Sequence, residues 1–169
     1  MIEIYDALCL KEPWLELILL AADGVTINIK TLETRTKCLR KTAGELVLVS
    51  SKGYDEEAWV HPWCGGRLDA AAKKRALDGL GKLRGIAMVG GFRVGVPGVD
   101  DQAASIQIRQ PDGELRFVAE VSNVRRLVEV PTVRVRPKDG AGNEVVVPGG
   151  GQGIFRVPAN IVQIVRRAV

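Results

Sequence analysis

The chain has 169 residues, 46% hydrophobic and 26% charged, with a net charge of +4; these are the proportions of one ordinary globular domain, 1–169, and they exclude a disordered chain. The most apolar run, Trp14 to Ala22, contains Glu16 and is too short to span a bilayer, and Glu3 and Asp6 are incompatible with a signal peptide, so no membrane partner is expected and the expected compartment is the cytoplasm. Three cysteines, Cys9, Cys38 and Cys64, are odd in number and lack CxxC spacing, while His61 and Cys64 together supply only two ligands, so neither a disulfide framework nor a metal or other cofactor is expected.

In chain order, residues 2–10 alternate weakly and predict an opening strand with Tyr5, Ala7 and Cys9 on one side. Pro13 suits a first helical turn and Gly24 a helix end, which predicts a helix from about Pro13 to Asp23. Trp14, Leu15, Leu17, Ile18, Leu19 and Leu20 cover nearly its whole circumference, so the helix is expected to be buried, plugging one end of a sheet or barrel. Period-two alternation from Val25 through Ile27 and Ile29 to Thr31, Glu33 and Arg35 predicts a strand over 25–36 whose face changes from hydrocarbon to ionic. Such a face leaves a core and enters a cleft. Burying Glu33 without a partner is costly, so it is expected beside Arg35 or Lys30 at the cleft mouth; the alternative is a solvated strand end with an ordinary ion pair.

A basic loop, Thr36 to Lys41, leads to a near-continuous apolar strand, Glu45 to Ser51, with both faces covered and with Ser50, Ser51 and Lys52 expected where it emerges. The segment Gly53 to Gly66 holds Tyr54, Trp59, His61 and Trp63, four of the nine aromatic or imidazole side chains, as loops that carry function often do. A helix is predicted at about Leu68 to Leu80, with Ala70, Ala72 and Leu77 inward and Lys73, Lys74 and Arg75 on a solvated face. Strand signals follow at 85–89 and 92–96, then hairpins 106–109/115–118 and 133–136/145–147 around glycine-bearing turns, with an acidic loop at 98–104. Gly149 to Gly153 lacks the strand and helix of a dinucleotide fingerprint, and a short helix is predicted over Ala159 to Arg167. Many short strands with two or three helices predict an α+β fold or a barrel whose ends the helices close.

The charge is uneven. Residues 1–119 carry 16 Lys/Arg against 16 Asp/Glu, whereas 120–169 carry 8 against 4, an asymmetry that suits a polyanionic partner or, alternatively, a basic solvated face.

Four blocks, in order, resemble the ASCH domain family of the PUA-like β-barrel superfamily. Leu10 to Ile18 is similar to its opening L-K-x-P-W-x-x-x-I helix, Lys30 to Arg35 to its K-T-x-E-x-R strand, and Gly44 to Lys52 to its G-x-L-x-I-x-x-S-K strand. Asn123 to Leu127 and Gly151 to Pro158 resemble the closing N-V-R-x-L and G-x-Q-G-x-F-x-V-P elements. The resemblance implies a mixed barrel of about five or six strands plugged by the first helix, with a polar cleft between that helix and the Lys30–Arg35 strand. Two departures are that Gly24 stands farther from Lys30 than the family's glycine does, and that the stretch 53–118 exceeds a minimal member, making Tyr54 to Trp63 a candidate lid.

The resemblance further implies RNA or another nucleic acid as partner, and the residue chemistry agrees. Arg35, Lys37, Arg40 and Lys41 form a basic rim for phosphates, with Lys30, Lys52, Arg125, Arg134 and Arg136 as further cations. Trp14, Trp59, Trp63 or Tyr54 can stack a base if exposed, the alternative being core packing, and Glu33 and Ser50 can hydrogen-bond a base edge. A second reading is a hydrolase acting on RNA or a modified nucleoside. ASCH-like amidohydrolases use the strand lysine, a threonine three residues later and a downstream glutamate; Lys30 matches, but Glu33 occupies the threonine position, leaving Lys30 as base and Glu33 as acid/base partner. A third is a protein-interaction module, as in transcription coactivators that contain ASCH domains.

Overall fold

The computed structural model describes residues 5–38, 44–127 and 154–157, Tyr5 and residues 154–157 by backbone alone. The strands are β1 (Tyr5–Glu12), β2 (Leu32–Arg35), β3 (Gly44–Tyr54), β4 (Leu83–Val89), β5 (Arg93–Val94), β6 (Phe117–Arg126) and β7 (Ile154–Val157). Helices α1 (Trp14–Leu19), α2 (Glu56–Val60), α3 (Ala70–Asp78) and α4 (Asp101–Ala104) are joined by 3-10 turns at Leu20–Asp23 and Gly65–Arg67. The strands form one mixed sheet ordered β2-β6-β4-β3-β1-β7, with β5 also paired to β6, curled into a half-barrel. Only β1 and β3 run parallel among these pairs. The fold is thus α+β, with seven strands among the described residues where about five or six were expected. The expected hairpin at 133–136/145–147, the Gly149–Gly153 run, the helix over 159–167, and Arg40, Lys41, Arg134 and Arg136 lie outside the described residues.

Continuous apolar sequence explains the middle of the sheet. Ala7 to Leu10 of β1 and Leu46 to Val49 of β3 are all buried, as a parallel pair covered on both faces requires. Helix α1 supplies one cover. Leu15, Ile18 and Leu19 pack with Leu8, Leu10, Leu46, Leu48, Ala87, Val89, Ala119 and Val121, while Leu17 turns to a second cluster with Ala58, Cys64, Leu68 and Ala72. A helix clasped on two sides needs hydrocarbon around its whole girth, and each fully buried leucine contributes about 1.5–3 kcal/mol. The helix is shorter than the sequence suggested: it gives way to a 3-10 turn at Leu20, which ends at Gly24 in the left-handed region (φ 81°).

Two further elements differ from expectation for physical reasons. The predicted strand over 25–36 is a strand only at Leu32–Arg35; Asn28 takes a positive φ of 56°, Ile27 is 73% exposed, and the Lys30 amide donates to the Leu17 carbonyl of α1 instead of to a neighbouring strand. In α3 the inward positions are Ala72 and Ala76, whereas Ala70 and Leu77 are exposed, because Asp69 caps the helix through the Ala72 amide and so sets its phase. Ser50 and Ser51, expected where β3 emerges, are buried. No helix among the described residues is long and apolar enough to cross a membrane.

Candidate nucleic-acid interface

Lys30, Glu33 and Arg35 come together at the open side of the half-barrel. Among the described residues β2 pairs with β6 alone, the Thr31 amide just before it donates to the Ala103 carbonyl of α4 (2.9 Å), and the i, i+2 spacing puts Glu33 and Arg35 on one face. The Lys30 ammonium donates to the Ala104 carbonyl at the end of α4 (2.7 Å), stands 3.9 Å from Glu33 Oε2 and lies over the Trp14 ring, 5.3 Å from its centre. Glu33 Oε1 is 3.0 Å from Arg35 Nε, and Arg35 Nη2 donates to the Cys9 carbonyl in β1 (2.8 Å). A polar line therefore runs from α4 through Lys30, Glu33 and Arg35 to β1. Lys30 is 2% exposed and Glu33 3%, so this is no solvated surface pair. Burial draws the Lys30 pKa down to about 8 against the opposing pull of Glu33.

This line walls a concavity of about 240 Å³ whose other sides are Trp14, Lys11, Asp55, Ile106 and Arg116. A second hollow of about 370 Å³ shares Trp14, Asp55, Ile106 and Arg116 and extends to His61, Gln107 and Arg109. Burial lowers the pKa of Arg116 from its ordinary value, and its Nε donates to the Gln107 carbonyl (3.2 Å). Asp55 caps α2 by accepting the Ala58 amide (2.9 Å), so one oxygen of its carboxylate is engaged in holding the wall. A short cationic pocket with an indole on one side and a carboxylate on its floor has donors for phosphate, an acceptor for a base edge and a ring face for stacking. Burial pushes the Cys64 thiol up to about 12 and Cys9 up to about 11, so neither is a thiolate nucleophile at neutral pH.

The remaining candidates are scattered. Lys37 is exposed just beyond β2. Lys52 is exposed near the end of β3, away from the hollow, and Arg125 pairs with Glu45 (2.9 Å) on the far side of β6. Ser50 donates to the Ser51 carbonyl (3.2 Å) and sits beside Glu12, outside the pocket. Trp59 is half-buried against Tyr54, with ring centres 5.4 Å apart and Lys73 6.0 Å over its face, and lines none of these hollows. Trp63 is 40% exposed and faces a neighbouring depression. The residues that sequence reading did not single out are Lys11, Asp55, Ile106 and Arg116. Arg116 lay in a segment read as an ordinary hairpin strand, and no local pattern marks it.

A second ionic cluster lies under α1, buried at Glu12, Glu16 and Arg84 and reaching the surface at Arg75 and Asp23. Glu12 and Glu16 are completely buried; Arg84 donates to both (2.6 and 2.7 Å), and Glu16 also accepts from Arg75 (3.0 Å) and Arg126 (2.7 Å). Arg126 continues to Asp23 (2.9 Å). A Cβ at Gly79 would overlap the Arg84 guanidinium, so glycine leaves the room this cluster needs. Here each charge has its counter-charge, and the role is to anchor the plug helix.

Among the described residues no group of three or more potential metal ligands is found. Compared with models of known protein families the chain matches none, and no curated protein matches it.

Proposed function

We propose that this protein is an ASCH-type, PUA-like domain that binds single-stranded nucleic acid, RNA in particular, by taking one nucleotide into the Lys30–Glu33–Arg35 cleft. The observation that carries this reading is the buried polar line on the wall of an open hollow beside an indole. Folded proteins rarely bury a lysine and a glutamate without use, since the desolvation cost is large. In this reading Lys30 and Arg35 meet the phosphate or a base carbonyl, Glu33 accepts from a base N–H, Trp14 stacks, and Arg116 closes the outer side. A hollow of about 240 Å³ is smaller than the roughly 300–1,000 Å³ of pockets that enclose drug-sized ligands, which suits a single base with part of its sugar. The cytoplasm is the compartment this reading assigns to it, following the odd cysteine count without CxxC spacing.

The test is binding to mixed-sequence single-stranded RNA across a salt series, with Lys30→Met and Arg35→Ala beside the wild type. Affinity falling steeply with salt and lost in both variants is expected; a flat salt response would show that phosphates are not contacted and would favour a protein-interaction module.

A second reading, a hydrolase acting on RNA or a modified nucleoside, draws support from the lowered pKa of Lys30, which brings its neutral form near physiological pH beside Glu33. Incubation with RNA and with acylated nucleosides tests it; product formation that persists unchanged in Lys30→Ala and Glu33→Ala would remove it.

A further inference from the structure

The inner hollow is not isolated. It adjoins the 370 Å³ hollow, with which it shares Trp14, Asp55, Ile106 and Arg116 in its lining, and that hollow in turn shares Gln107, Arg109 and Pro111 with a still larger depression of about 890 Å³. Three concavities thus follow one another over the loop 105–111, far more space than one nucleotide fills.

We propose that the outer two hollows form the path of a short single-stranded RNA whose leading nucleotide occupies the inner pocket, with Trp63 stacking a flanking base and Arg109 and Arg67 taking backbone phosphates. This rests on the cleft reading above and extends it from a mononucleotide to an oligonucleotide. Trp63 has the features of a stacking platform. Its indole is 40% exposed and lines the outer depression, while its amide donates to His61 Nδ1 (3.1 Å) and its ring meets the His61 ring edge-on, 6.0 Å between centres. An exposed indole held in place loses little freedom when a base settles on it. Arg67 is fixed by donating to Ser105 Oγ (3.0 Å), and Arg109 donates to the Gly113 carbonyl (3.3 Å) with its side chain otherwise in solvent.

Along the path arginines stand against carboxylates: the middle hollow sets Arg109 and Arg116 against Asp55 and Glu57, with Asp55 engaged by the Ala58 amide. The outer depression contains one carboxylate, Asp101, and that group is occupied by the amides of Gly98 and Ile108, the latter at 2.7 Å. Its negative charge is thereby partly offset by two N–H dipoles, leaving Arg67 and Arg109 to set the local field. Each of the three hollows pairs an arginine with a ring: Arg35 and Arg116 with Trp14, Arg109 with His61, Arg67 with Trp63. Alternating cations and rings along a trough is the arrangement that tracks a flexible single strand without reading its sequence.

The experiment compares two probes at one fixed salt concentration: an 8-nucleotide mixed-sequence single-stranded RNA carrying a 5′ fluorophore, and the four ribonucleoside 5′-monophosphates as competitors for it. Wild type is expected to bind the 8-mer far more tightly than any monophosphate. Trp63→Ala is expected to weaken 8-mer binding by about 5- to 150-fold, the range for loss of one stacked base, and Arg109→Glu to weaken it as well through a lost phosphate contact, with the monophosphate constants unchanged in both. Lys30→Met is expected to weaken both probes. If Trp63→Ala and Arg109→Glu bind the 8-mer as wild type does while Lys30→Met does not, the outer path is overturned and the inner cleft stands. If wild type binds the 8-mer no better than the monophosphates, the outer path is likewise overturned; if Lys30→Met affects neither probe, the inner cleft itself is wrong. Trp63 and Arg109 lie on the surface, and unchanged circular dichroism separates lost binding from lost folding.

Discussion

Glu33 Oε1 lies 3.0 Å from Arg35 Nε, yet that nitrogen is buried without a hydrogen-bond partner. The two groups neutralise each other by proximity while the alignment of a hydrogen bond is withheld. The glutamate thereby retains acceptor capacity for a base N–H. Glu33→Gln keeps the size and removes the charge. It is expected to reduce discrimination among homopolymeric RNA octamers and to lower affinity for the mixed sequence by about 10- to 150-fold with its salt dependence unchanged, since a hydrogen bond to a charged group is worth roughly 1.5–3 kcal/mol. Titration of four homopolymers checks this, and undiminished discrimination would take Glu33 out of base recognition.

Lys30 is expected to be costly to the fold. Its pKa falls from the ordinary 10.5 to about 8 on folding, through burial. A cation with a depressed folded pKa destabilises the native state below pH 8, and the penalty is relieved as pH rises from 8 towards 10.5. Lys30→Met should therefore fold with a Tm equal to or above wild type at pH 7 while losing RNA binding. A large drop in Tm would instead assign Lys30 to structure.

The same shift gives binding a pH profile. Lys30 is mostly protonated at pH 7 and loses its charge as pH passes about 8, so affinity for single-stranded RNA should decline between pH 7.5 and 9 in the wild type. Whatever binding Lys30→Met retains should not change over that interval. Fluorescence anisotropy at constant ionic strength distinguishes the two.

Glu16 carries three arginines from inside the protein. Removing one partner of a buried ionic cluster costs about 3–5 kcal/mol because the others are left uncompensated. For a chain of this size Glu16→Ala is thus expected to lower Tm by roughly 6–20 °C. Arg75→Ala, whose side chain is 44% exposed, should cost far less. Calorimetry on the two variants gives the ranking directly.

Glu12 provides a separate handle on stability. Burial beside Glu16, only partly offset by Arg84, raises its pKa from 4.5 to about 7. Between those values the native state holds a proton that the unfolded chain has released, so this group makes stability fall as pH rises from about 4.5 to 7. Glu12→Gln should abolish that slope, and the wild-type Tm should gain on the variant as pH is lowered from 7.5 to 5. A wild-type Tm that fell relative to the variant on acidification would mean that the Arg84 contact, and not burial, governs Glu12.

How much of this was legible beforehand depends on whether the deciding contacts were local. The apolar helix α1 and strand β3 follow from residue type alone, because elements buried on both sides must be hydrocarbon throughout. Lys30, Glu33 and Arg35 were readable as a charged cluster close in sequence. Glu16 was not readable as a hub: its partners Arg84 and Arg126 are 68 and 110 positions away, and no local rule pairs them. The phase of α3 and the break in the 25–31 alternation were likewise decided by a capping aspartate and by a contact to α1, which override periodicity. Ser50, a donor by chemistry, was drawn away from the cleft by the burial of β3.

The reach of Arg35 to the Cys9 carbonyl has one more implication. The sheet path starts at β2 and passes through β1, and this guanidinium joins those two strands where no ladder of backbone bonds does. An occupant that engages Arg35 would therefore grip the clasp of the half-barrel itself, so that filling the hollow and fastening the curl become a single event. Amide exchange along β2 and the Cys9–Glu12 end of β1 should slow together on loading, ahead of any change in the interior of β3.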